Sequence, residues 1–207
     1  EEETKILSSY LDGVFTMGKK RNCLTACAGI AYVKSSYPFY YAYELAERLC
    51  DRAKKDAKNE ECVRLGKKVA DACLMFHKVR DSFNEDFSRI VERELTPNNQ
   101  TSFEFGPYYM EPHKNRWTIK QLQDCVKMLE DDEGNTIKSS LRRWISAQYE
   151  GVDKAKQKLD RIMQLDKVRA SKIEKFTEAR TSNNINAYSV YDVLELFTIG
   201  HQETKTN

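Results

Sequence analysis

An α+β fold, with a sheet and packed helices over residues 1–112 and an α-helical bundle over 113–200, is predicted by three observations. Two short apolar runs, 23–33 and 72–79, have the length and composition of strands and flank an amphipathic helical stretch. From Thr118 onward, apolar residues recur at helical spacing. The 207 residues are 40% hydrophobic and 32% charged, which supplies a core and excludes a disordered or fibrous chain.

Each element has its own signal. Ile6, Leu7, Tyr10, Leu11, Val14 and Phe15 place one apolar stripe on a helix over 4–17, with Gly18 as its stop. Residues 23–33 are small or apolar on both alternating faces and read as a strand buried on two sides. Ser36-Tyr37-Pro38 sets up a helix start, and Phe39, Ala42, Tyr43, Ala46, Leu49, Cys50 and Ala53 carry its stripe to about Ala57. Residues 72–79 form the second strand and 102–110 a third, interrupted at Gly106-Pro107. Between them, Ser82 and Glu85 have capping-box spacing for a helix running to about Glu94.

Thr118 and Gln121 repeat the capping-box spacing, and Ile119, Leu122, Val126 and Leu129 follow as a stripe. A helix from about Asn135 to Gly151, another over 152–165 and a weaker one over 167–181 come next. A polar loop, 181–184, leads to a last helical segment, 188–199, and residues 201–207 form a polar tail.

Lys and Arg number 34 against 32 Asp and Glu, so the net charge of +2 supplies no overall field for nucleic acid or anionic membrane. Charge is nevertheless uneven, because 112–181 carries +5 and the remainder −3, which marks the helical part as the contact surface for something acidic. No run of about 18 apolar residues occurs, and the expectation is a soluble, cytoplasmic protein with no membrane partner. Six cysteines and three histidines show no ligand spacing. Cys23 and Cys27, on one strand, would stand about 13 Å apart, and reduced, structural cysteines are expected. None of the 8 glycines is adjacent to or one residue from another, which excludes Gly-rich phosphate loops.

The segment Leu24-Thr25-Ala26-Cys27-Ala28-Gly29-Ile30-Ala31, followed by Tyr37-Pro38-Phe39, an apolar helix and Ala53-Lys54, resembles part of a nucleotidyl-cyclase palm of the GGDEF type. Ser36-Tyr37-Pro38-Phe39 and the later Leu74-Met75-Phe76-His77 are more similar to the second palm domain of the large subunit of type III CRISPR effector complexes, in which a helical domain follows. The resemblance implies a partial ferredoxin-like palm over 1–112, and a nucleotidyltransferase that uses ATP with Mg²⁺ to make cyclic oligonucleotides in antiviral defence. It also implies nucleotide contacts from Lys54, Tyr37 and Lys58.

The family's metal-binding strand and Gly-Gly-Asp-Asp hairpin would precede Thr4 and are not present, so no catalytic or metal-ligating residue is assigned. The chain alone is expected to be inactive and to need the other palm half, on the same polypeptide or on a partner subunit. Two alternatives stand beside this reading: a non-catalytic scaffold docking on a partner subunit or RNA, and a plain GGDEF-type cyclase relative. Lys54, Lys55 and Lys58 equally suit a helix C-terminus, where cations are favoured. Tyr37 equally suits a packing staple, and His77 a structural histidine. Lys154, Lys156, Lys158 and Arg161 read as a solvated helix face or as an RNA contact.

Overall fold

The computed structural model describes residues 25–59, 70–80, 86–113, 115–130, 134–165 and 167–203, and the expected helix over 4–17 lies outside them. The small, apolar run after Cys23 forms strand β1 (Cys27–Tyr32). The stripe after Pro38 forms helix α1 (Phe39–Ala57), with Pro38 at its N-cap and Leu45, Leu49, Ala53 and Ala57 buried. Strand β2 (Cys73–Lys78) returns parallel to β1, pairing Cys27 with Cys73 and Tyr32 with Lys78. This strand–helix–strand unit needs a glycine at position 29. A Cβ there would strike the Ala46 oxygen and Cys50 nitrogen of the α1 backbone, so Gly29 is what lets helix and sheet approach this closely.

Expectation and structure differ around this sheet. Strand β1 is at its edge among the described residues and is only half-buried, whereas β2 is central and carries the buried Cys73, Met75, Phe76 and His77. The 102–110 segment is not one strand. It gives β3 (Thr101–Ser102) and β4 (Tyr108–Tyr109), which enter different sheets. Gly106 and Pro107 divide them, and Pro107 has no N–H to continue a ladder. Strand β4 lies antiparallel to β2. Helix α2 (Phe87–Ile90) is capped by the Asp86 carboxylate, which accepts from Ser88 N at 2.9 Å, and continues as a wider π turn through Val91–Leu95. Ser82 and Glu85 lie outside the described residues.

The helical part follows expectation more closely. Helix α3 (Ile119–Lys127) carries the Thr118–Gln121 capping box, with the Thr118 hydroxyl accepting from Gln121 N at 3.2 Å. Helix α4 (Gly134–Glu150) buries Ile137, Leu141 and Trp144, and α5 (Val152–Leu165) follows after Gly151 alone. Helix α6 is shorter than expected (Ala170–Thr177) and is followed by a hairpin of β5 (Ala179–Ser182) and β6 (Ile185–Tyr188). Asn183 and Asn184 both take positive φ, 48° and 62°, the conformation a two-residue hairpin turn requires. Strand β3 adds parallel to β6, and helix α7 (Val190–Glu203) closes the chain. Residues before and after 112 therefore share the second sheet. They also share one core, which joins Leu49 and Ala53 of α1 to Trp144 of α4 and Val190 and Val193 of α7.

Candidate functional site

Three places in this fold concentrate polar chemistry. The first is α1. Its 19 residues make a rod about 28 Å long, so Tyr37, just before it, and Lys54, in its last turn, stand near opposite ends. Tyr37 is half-buried, and burial followed by the neighbouring Tyr41 pushes its phenol up. Lys54 is exposed and bonds Asp51 at 3.3 Å, a contact that raises its pKa. Lys58 is one turn beyond Lys54 and equally exposed. Lys54 and Lys58 can thus meet the same anion, and Tyr37 cannot join them. His77, on β2, is 5% exposed, packs edge-on against Phe87 at 5.5 Å and is kept towards the neutral form by burial.

The second place is the seam where the β2–β4 sheet meets the last strands and α7. Asp56, at the end of α1, accepts from Tyr109 Oη at 2.6 Å and from Arg116 Nη2 at 2.8 Å and Nε at 3.1 Å. Burial raises its carboxyl, and the Arg116 and Tyr109 hydrogen bonds outweigh that, leaving it below the usual range. Arg52 pairs with Glu104, and Glu195 of α7 takes both Arg80 and, at 3.4 Å, Lys78. The Tyr108 hydroxyl donates to Asp192 Oδ2 at 2.6 Å. Here burial dominates and lifts the Asp192 carboxyl to about 7. Arg180 lies over the Phe105 ring at 4.7 Å. Cys27, Cys50, Cys73 and Cys125 are in the thiol form, and Cys27 and Cys73 meet across the β1–β2 ladder at 3.7 Å.

The third place is a groove of about 580 Å³ between α4 and α5. Arg142, Arg143 and Glu150 line it from α4, and Lys154, Lys158 and Arg161 from α5. Ser146, Ala147 and Gln157 complete the lining. Gly151 joins the two helices at φ 134°, a backbone conformation that side-chain-bearing residues rarely adopt, and so permits a one-residue connection. Glu150 is the only acid in the lining and is held by Lys154 at 3.4 Å. Among the described residues, Arg142, Arg143, Lys158 and Arg161 have no carboxylate within ion-pair distance.

Three of the four cations read from the sequence as an RNA contact thus share one groove. Lys156 does not line it. Arg142 and Arg143 were not singled out by sequence reasoning, because they belong to another helix; the signal for them was Gly151, which folds α5 back along α4. No protein-family model matches the chain, and no curated protein matches it either.

Proposed function

We propose that this chain is the ATP-facing part of a palm-type nucleotidyltransferase similar to the large subunit of type III CRISPR effector complexes, acting in antiviral defence. The observation that carries the reading is the β1–α1–β2 unit. Its Gly29-dependent close packing brings the sheet against α1, and the C-terminal end of α1 presents Lys54, in its last turn, and Lys58, at its C-cap, to solvent. An ammonium at that corner suits a triphosphate lying along the sheet, because it offsets the charge of the transferring phosphoryl group. The described residues contain no cluster of three His, Cys, Asp or Glu side chains arranged for a metal. In this reading the carboxylates for Mg²⁺ belong to the other palm half.

The test is ATP turnover by the chain joined to that half. Lys54→Ala lowers turnover on the order of tenfold, the loss of one charged hydrogen bond, with the melting temperature unchanged because the side chain is exposed. Lys55→Ala is the control on the same helix end. Equal losses in both reduce Lys54 to a diffuse basic helix end, and no loss in either removes the phosphate role.

A further inference from the structure

We infer that the α4–α5 groove binds the sugar-phosphate backbone of single-stranded nucleic acid. The inference needs neither Lys54 nor the other palm half. Five cations, Arg142, Arg143, Lys154, Lys158 and Arg161, face a single acid, Glu150, in one groove. Four of the five have no carboxylate partner among the described residues. Like charges gathered without counter-charge repel one another, and an anion relieves that repulsion. The α5 cations lie at positions i, i+4 and i+7, so they form a row about 10 Å long on one helix face. Arg142 and Arg143 form the facing wall. Such a double row suits an extended polyanion rather than a point anion.

The lining also selects among polyanions. A peptide partner needs an apolar or aromatic anchor to bind in a pocket, and the only apolar side chain in the lining is Ala147. Arginines offer planar, two-pronged donors that match phosphate oxygens. The groove, at about 580 Å³, has the volume of a small-molecule site, so a single strand can enter it whereas a duplex would rest on its rim. A basic channel that tracks the backbone, with no bases read, is the electrostatic half of a single-strand site. The +5 charge of 112–181, in a chain of +2, is concentrated where this groove lies.

The experiment is fluorescence anisotropy with the 207-residue chain and labelled probes of about 15 nucleotides: single-stranded RNA, single-stranded DNA, duplex RNA, and an acidic polyglutamate peptide. The single strands bind at low salt. If about four phosphates are neutralised, affinity falls on the order of fifty-fold between about 50 and about 200 mM salt. Lys158→Glu with Arg161→Glu weakens single-strand binding at least about tenfold, while Lys156→Glu, outside the lining, changes it less than about twofold. Glu150→Gln tightens binding by removing the one opposing charge. Should the double charge reversal fail to melt cooperatively, Arg143→Gln replaces it and loses a few-fold. Equal affinity for RNA and DNA supports recognition of phosphate alone, and a preference for RNA supports added contact to the 2′-hydroxyl. Overturning results are no single-strand binding at low salt, an equal loss from Lys156→Glu, or duplex or polyglutamate binding as tight as the single strands.

Discussion

The seam and the groove use charge in opposite ways. At the seam four carboxylates are matched: Asp56 by Arg116 and Tyr109, Glu104 by Arg52, Glu195 by Arg80 and Lys78, and Asp192 by the Tyr108 hydroxyl. In the groove five cations share one acid. The contrast follows from solvent. Arg116 and Asp56 keep only 18% and 20% of their side-chain surface, so an unmatched charge there would be desolvated with nothing in return. Lys154 and Glu150 keep 66% and 60% and can be hydrated instead. Charge is bound into the fold where it is buried, and left available where water, or a ligand, can reach it.

The comparison breaks most readily at Arg116. Arg116→Ala takes two hydrogen bonds and the paired charge away from the Asp56 carboxylate, and removing one partner of a buried pair is costly, so the expected loss is about 3 kcal/mol. Chemical denaturation measures it, and Asp56→Asn in the same background restores part of the loss because the half-buried charge no longer has to be compensated. A loss below about 1 kcal/mol, within the range of an exposed pair, would mean that the seam is no different from the groove.

The seam was also the least legible part of the sequence. Strand β1, helix α1, strand β2 and helices α3 to α5 could be read because each carries its own periodicity or cap, as with Leu49 and Ala53 or with Thr118 and Gln121, although Phe39 and Tyr43 of the expected α1 stripe are exposed and Leu45, outside it, is buried. Strands β3, β5 and β6 are two to four residues long, and β3 exists through pairing with β6 across some 80 residues of chain, which no local window contains. Thr181-Ser182-Asn183-Asn184 read as a loop, yet Asn183-Asn184 was the available hairpin signal. The candidate site divides the same way. Lys154, Lys158 and Arg161 are visible as a helical row, whereas their partners on α4, and the separation of Tyr37 from Lys54 along α1, appear only in three dimensions.

Asp192 sharpens the comparison through pH. Its folded pKa of about 7 lies above the ordinary aspartate value of 3.8. The folded state therefore holds a proton that the unfolded chain has released, and the contribution to stability is fully present below about pH 4 and lost as pH rises through 7. Asp56 runs the other way. Its pKa is lowered, so its contribution is present above the ordinary carboxylate range and lost on acidification. Asp192→Asn keeps an acceptor for the Tyr108 hydroxyl and removes the ionisation. The variant is expected to match the parent near pH 4 and to exceed it by about 1–2 kcal/mol near pH 8. Thermal melts across that range check it, and a variant equal to the parent at both pH values would show that the Asp192 carboxylate is not held away from water.

The smallest effect is expected in the groove, and its sign is the informative part. Arg143→Gln removes an exposed cation and Lys158→Gln a half-buried one; each has neighbours of its own sign and no carboxylate partner among the described residues, so no ion pair is broken. Stability changes by less than about 0.5 kcal/mol. The direction is upward, because each substitution subtracts repulsion within the groove: Lys158 stands one helical turn from Lys154 and Arg161, an arrangement destabilising by a few tenths of a kcal/mol, and Arg143 faces that row. Added salt screens the same repulsion in the parent, so the stabilising effect of Arg143→Gln shrinks between about 50 mM and 1 M salt as the screening length falls from above 10 Å to about 3 Å. Differential melts at the two ionic strengths read this out. A destabilisation that grows at low salt would reveal a hidden counter-charge for Arg143 and would place the groove with the seam, as a structural pairing surface rather than an open one.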